Sequence, residues 1–178
     1  PETAIRAPVL REKTLRARLF PTQHQRAALL AGLIETDKRG RRYNVVAVVE
    51  PGGSVRDIYR KVRLVPGAES HLTQGRNGGA VQIGAHRVGI MICLESVYPH
   101  MARERVSDGA QFLVVVSNDA GFGWSPITHH MTNRAIVRAV ETRRWLVRVG
   151  QAGVSALIGP DGQTIERLGL FKPGLLKG

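Results

Sequence analysis

Cysteine is nearly absent. Cys93 is the only one in 178 residues, which excludes an internal disulfide and leaves the redox compartment open. Aromatic residues make up 5% of the chain, too few for the stacking platforms that hold single-stranded nucleic acid. Acidic side chains are outnumbered, 14 against 26 lysines and arginines, for a net charge of +12. The positive charge is mainly arginine, and the arginines are scattered from Arg6 to Arg167 rather than gathered in a stripe, so nucleic acid is not an expected partner. They read as a solvated surface, or as one suited to anionic lipid. Apolar runs are short, and the longest, such as residues 112–116, are strand-sized rather than membrane spans. An initiator methionine is missing too. The chain opens Pro1-Glu2-Thr3 and is read as one domain, residues 1–178, of a longer protein.

What is present alternates between two periods. Helical signals run from Pro8 to Glu35, with Leu29, Leu30 and Leu33 grouped and Pro21 interrupting. Residues 36–42 form a polar loop. Residues 44–49 read as a buried strand and 55–65 as a second, joined through Pro51-Gly52-Gly53. After a loop over 70–79, residues 80–83 and 87–92 make another hairpin. Pro99 opens a helix to about Asp108, with Gly109 at its end. Residues 112–116 are a strand, and 127–144 a helix that sets Ile136, Val137 and Val140 on one side. Residues 145–149, 154–158 and 164–168 are strands, the last two joined through Gly159-Pro160-Asp161-Gly162. This order predicts an α/β protein with a mixed sheet, or a pair of stacked sheets covered by helices.

Cys93 stands where the apolar strand Val88-Gly89-Ile90-Met91-Ile92 gives way to the polar Glu95-Ser96. A thiol there is either a nucleophile fixed by its strand or a small buried apolar residue. Nucleophilic attack on an acyl carbon also needs a base and a cation for the tetrahedral intermediate. Glu2 and Lys61 could supply them. No metal or cofactor is expected: His129-His130 has no carboxylate or cysteine at ligand spacing. Trp124 and Trp145 read as core or rim packing.

These residues lie in familiar words. The stretches Pro1-Glu2-Thr3-Ala4, Tyr43-Asn44, Tyr59-Arg60-Lys61, Leu64-Val65-Pro66, Cys93-Leu94-Glu95-Ser96, Tyr98-Pro99, Ser117-Asn118-Asp119-Ala120, Phe122-Gly123 and 138–143 follow one another in order. The set resembles the nitrilase (carbon–nitrogen hydrolase) superfamily, and within it the catalytic domain of the apolipoprotein N-acyltransferases. The resemblance implies an α-β-β-α sandwich, two stacked sheets covered by helices, here truncated at both ends. It implies Glu2 as general base, Lys61 as oxyanion stabiliser and Cys93 as nucleophile, with Glu69 a supporting carboxylate and Glu95 a structural and catalytic neighbour.

The acyltransferase branch implies phospholipid and a lipoprotein N-terminus as partners, at the extracytoplasmic face of a bacterial inner membrane. Membrane contact would come through parts of the longer protein. The amidase branch implies a small amide and a cytoplasmic enzyme. Three departures stand out. Leu94 occupies the place of a tyrosine, the stretch from Glu69 to Gly75 is shorter than the family's membrane-facing arm, and the strand expected before Glu2 is not in this sequence. The unextended chain is therefore expected to be weakly active or inactive.

Overall fold

A residue run that is apolar at every position, as from Val45 to Val49, suits a strand covered on both faces. The computed structural model, which describes Glu2, residues 27–76 and residues 78–178, has that arrangement. Strand β2 (Arg42–Val49) lies between β1 (Leu29–Thr36) and β3 (Val55–Arg60) in an antiparallel sheet. One of its faces puts Val46 and Val48 into the core between the two sheets, while Tyr43, Val45, Ala47 and Val49 cluster with Ala31 and Leu33 on the other.

The second sheet has the order β4 (Ala80–Ile83), β5 (His86–Ile92), β6 (Phe112–Asn118), β7 (Leu146–Gln151), β8 (Ser155–Ile158), β9 (Thr164–Leu168). Its central strands β5, β6 and β7 are parallel and its outer pairs antiparallel. Parallel neighbours need crossover connections. Helices α1 (Pro99–Ser107) and α2 (Ile127–Thr142) provide them. Met101, Ala102, Ala135 and Ala139 pack with Met91, Leu113 and Val115 on one face of the sheet. Ile90, Ile92, Val114 and Val116 meet Val46, Val48 and Tyr59 on the other. Each of the buried valine, leucine, isoleucine and methionine side chains is worth about 1.5–3 kcal/mol. Gly89 lets α1 approach: a Cβ there would stand 2.6 Å from Leu113 Cδ2 and 2.7 Å from Arg105 Cβ.

The described residues thus supply two sheets and one helical layer of the expected α/β sandwich, with the small sheet antiparallel and the large one mixed. Three local readings change. Leu29, Leu30 and Leu33 belong to β1, not a helix. Leu29 to Thr36 pair residue for residue with β2 from Val49 back to Arg42, and this pairing outweighs a leucine spacing that also fits a helix. The rest of the expected helix, from Pro8, lies outside the described residues.

Strand β3 ends at Arg60, not residue 65, because the N–H groups of Val62 and Arg63 turn to the Glu95 carboxylate. In α2, Val137 and Val140 face outward, and Met131, Ala135 and Ala139 face the sheet. The two alanines, one turn apart, let the helix backbone approach closely. Trp124 is on the rim, 78% exposed, with its ring against Phe171 at 4.8 Å.

Candidate active site

Lys61 is the first residue beyond β3. Its carbonyl accepts from Gly75 N and its own N–H donates to Asn44 O, so the backbone is tied on both sides and the side chain is aimed inward. It is 1% exposed. A buried ammonium requires partners. Its Nζ donates to Glu2 Oε1 at 2.9 Å and lies 2.9 Å from Glu69 Oε2 and 3.1 Å from Glu69 Oε1.

The Asn44 amide adds a second bridge between the carboxylates, donating to Glu2 Oε1 at 2.6 Å and to Glu69 Oε1 at 2.8 Å. Glu2 Oε2 accepts the Asn118 N–H at 2.9 Å, and Glu69 Oε2 that of Val65 at 2.7 Å. Glu2, Lys61, Glu69, Cys93, Asn118 and Phe122 all line one cavity of about 480 Å³. The structure therefore brings Glu2, Lys61, Cys93 and Glu69 to a common space.

Cys93 follows β5 directly and opens a short 3-10 turn, Cys93–Val97, with a positive φ of 48°. Positive φ is uncommon outside glycine and marks a constrained position. The leading N–H groups of such a turn have no partner within it.

Glu95, third in the turn, is fully buried and holds it in place. Its carboxylate accepts the N–H groups of Ile92 at 2.7 Å, Val62 at 2.6 Å and Arg63 at 3.1 Å, and the Tyr59 hydroxyl at 2.8 Å. Arg105 in turn donates to Tyr59 Oη at 2.7 Å and to Ile90 O at 3.0 Å. Glu95 thus touches the residue before Cys93 and the residue after Lys61. Leu94, half-buried beside it, is not among the residues lining the cavity.

Charge follows from these contacts. Burial, then the Glu2 carboxylate, push the Cys93 thiol up to about 11, against the pull of Lys61 and the Ser117 hydroxyl. Burial pulls Lys61 down, but Glu2, Cys93 and Glu69 together hold it above its ordinary value. Burial raises Glu69, yet Lys61, the Val65 N–H and Asn44 bring it below the usual carboxylate range. For Glu95 burial prevails over its donors and the carboxyl titrates higher than usual. At neutral pH the thiol is protonated beside a charged lysine, so attack needs a base for that proton.

Asn44, Tyr59, Arg105 and Ser117 had no individual role in the sequence reading. The quoted Tyr43-Asn44 and Ser117-Asn118-Asp119 stretches were the available signal. His129 and His130 are exposed on α2.

The fold agrees with the comparisons. The carbon–nitrogen hydrolase family model matches residues 7–178, and the chain belongs to that family of enzymes, within the nitrilase superfamily. Among its relatives, apolipoprotein N-acyltransferase of Thermotoga maritima is 31% identical over 145 residues, 71% of this chain and 29% of that protein. Apolipoprotein N-acyltransferase of Pseudomonas aeruginosa is 30% identical over 207 aligned positions, covering all of this chain and 39% of its own length. The chain thus spans less than two fifths of either relative. An amidase from Nesterenkonia sp. superposes with a TM-score of 0.77 at 23% identity, covering 94% of this chain and 66% of that one. No helix among the described residues is long and apolar enough to cross a membrane.

Proposed function

We propose that the cavity is a Glu–Lys–Cys acyl-transfer site, in which Glu2 is the general base, Lys61 the oxyanion stabiliser and Cys93 the nucleophile. The observation that carries this reading is the buried Lys61 ammonium between Glu2 and Glu69, on the cavity that Cys93 also lines. Glu2 takes the thiol proton as Sγ attacks an ester carbonyl. Lys61 and the leading N–H of the Cys93 turn stabilise the negative oxygen. The intermediate collapses to a thioester, and Glu2 returns the proton to the departing alcohol. An amine then attacks the thioester, loses its proton to Glu2 and expels the Cys93 sulfur, which takes that proton back from Glu2. Glu69 keeps Lys61 charged and in place.

The names of the relatives favour acyl transfer to a nitrogen of an apolipoprotein, and the family resemblance adds a phospholipid as acyl donor and the N-terminal amine of the lipoprotein as acceptor. On this reading the domain works at the extracytoplasmic face of a bacterial inner membrane, as one part of a longer protein. Incubation with phospholipid, followed by intact mass measurement, is expected to show one acyl adduct that hydroxylamine removes. Cys93→Ser, still folded, is expected to carry none; an undiminished adduct on that variant overturns the assignment. A second reading, hydrolysis of a small amide, is favoured by the likeness to an amidase fold. Ammonia release from small amides without a lipid adduct would select it.

A further inference from the structure

Behind the thiol lies a buried ion pair that the acyl-transfer steps do not use. Arg148, in the middle of β7, and Asp119, just past β6, are both 0% exposed in their side chains. Arg148 NH2 donates to Asp119 Oδ2 at 2.5 Å. Asp119 Oδ1 accepts the Ser117 hydroxyl at 2.5 Å, and its own N–H donates to Gln151 O at 3.0 Å. Gly153 makes room for the carboxylate: any Cβ there would overlap Asp119 Oδ2. Ser117 itself is fully buried. The parallel register pairs Ile92 with Val116, so the next positions along the two strands are Cys93 and Ser117. From that neighbouring position the Ser117 hydroxyl pulls the thiol down, against the burial that pushes it up. A line of hydrogen bonds therefore runs from Arg148 through Asp119 to Ser117, the neighbour of Cys93 across the strands.

A buried ion pair contributes less stability than apolar packing of the same volume, so stability alone does not account for this one. Its position suggests a use. A serine hydroxyl has one proton to donate and lone pairs to accept with. While its O–H points to Asp119, the serine oxygen can accept from the Cys93 S–H. Once that proton has gone to Glu2, the thiolate needs a donor, and Ser117 can turn its O–H from Asp119 to sulfur. Asp119 tolerates the loss because Arg148 still neutralises it. Sulfur is faced by Glu2 and Asp119 on the negative side and by Lys61 on the positive side. Glu69 stands behind Lys61 and Arg148 behind Asp119.

We propose that Ser117 is a further catalytic residue, a two-position hydroxyl that follows the charge of Cys93, and that the Arg148–Asp119 pair poises it. This rests on the reading of Cys93 as the nucleophile. The proton inventory is unchanged by the turn, since the serine keeps its proton and Glu2 holds the one from sulfur.

The test is the pH profile of iodoacetamide alkylation on the 178-residue chain, where Cys93 is the only thiol. A hydrogen bond to a charged group is lost in Ser117→Ala, so thiolate reactivity at neutral pH should fall about 10- to 100-fold and the profile should move to higher pH. Ser117→Thr, which keeps the hydroxyl, is expected to restore it. Asp119→Asn should move the profile to lower pH, and by less when Ser117 is already alanine, because only the charge effect remains. Superposable profiles for folded Ser117→Ala and wild type overturn the proposal. So does an unchanged or raised profile for Asp119→Asn, whether or not the serine variants fold. Alkylation needs no acyl substrate, so these shifts without any lipid adduct would retain Ser117 and reject the acyl-transfer reading. An adduct with unshifted profiles would do the reverse.

Discussion

The Glu95 carboxylate accepts the Val62 N–H at 2.6 Å, and in doing so ties the turn that carries Cys93 to the strand end that carries Lys61. The same carboxylate holds Ile92, one residue before the thiol. Glu95 therefore sets the separation of two groups from different sheets, although it does not line the cavity.

Removing it should be severe. Glu95→Ala strands the buried N–H groups of Ile92, Val62 and Arg63 and the Tyr59 hydroxyl, each costing about 1–3 kcal/mol when left without an acceptor. The expected result is a chain that fails to fold or melts far below wild type. Glu95→Gln keeps the shape but turns an NH2 group toward donors, and should lose about 2–3 kcal/mol in urea unfolding. A Gln variant as stable as wild type would show that the carboxylate's contacts carry little weight.

Lys61 separates two carboxylates that also share the Asn44 amide. Lys61→Met leaves them close together without their cation. Breaking a buried pair from one side costs about 3–5 kcal/mol, and one of the acids should bind a proton to relieve it. Stability of this variant is therefore expected to improve as pH falls from 7 to 5, whereas the wild type should not gain in that range. Urea titrations at the two pH values measure the difference. The catalytic reading adds that any acyl adduct should form about 100- to 1000-fold more slowly.

Much of this arrangement was legible along the chain, but only where local pattern coincided with tertiary demand. Cys93 could be placed at a strand end because Val88 to Ile92 are apolar throughout and the next residues are not. The same reasoning misplaced Leu29, Leu30 and Leu33, since pairing with β2, not the spacing of leucines, decides their conformation. It also carried β3 past Arg60, because nothing near Val62 or Arg63 signals that their N–H groups leave for Glu95. Glu2 and Lys61 were recognised through their neighbours. The contact between them bridges 59 positions, a distance over which spacing carries no geometric information. Tyr59 to Arg105, 46 positions apart, is hidden for the same reason.

Glu69 offers a pH test with a definite sign. Its folded pKa lies below the ordinary 4.5, because Lys61, the Val65 N–H and Asn44 outweigh burial. A depressed carboxylate contributes stability that is fully present above the unfolded value and is lost as pH falls through the folded one. The stability difference between wild type and Glu69→Gln should therefore be constant above about pH 6 and shrink once the pH drops below about 4. Denaturant unfolding at pH 7, 5 and 3 gives that difference directly. A difference that grows on acidification would mean that burial, not Lys61, governs this group.

The thiol is expected to show its burial in its reactivity. With Cys93 pushed up to about 11 by burial and then by Glu2, only a small fraction is thiolate at neutral pH, and the thiolate is the reactive form. Alkylation in the absence of substrate should therefore rise about tenfold per pH unit from 7 to 10. Glu2→Gln removes the nearby negative charge while keeping an amide-sized group in the cavity. Free-thiol alkylation at pH 8 should then become faster. Acyl-adduct formation should become slower, by about 100- to 10,000-fold, because the base is gone. Opposite signs from one substitution separate the two roles of this carboxylate, its field on sulfur and its capacity to take a proton. If both rates fell together, Glu2 would be a structural partner of Lys61 and Asn44, and the base would have to be sought elsewhere on the cavity wall.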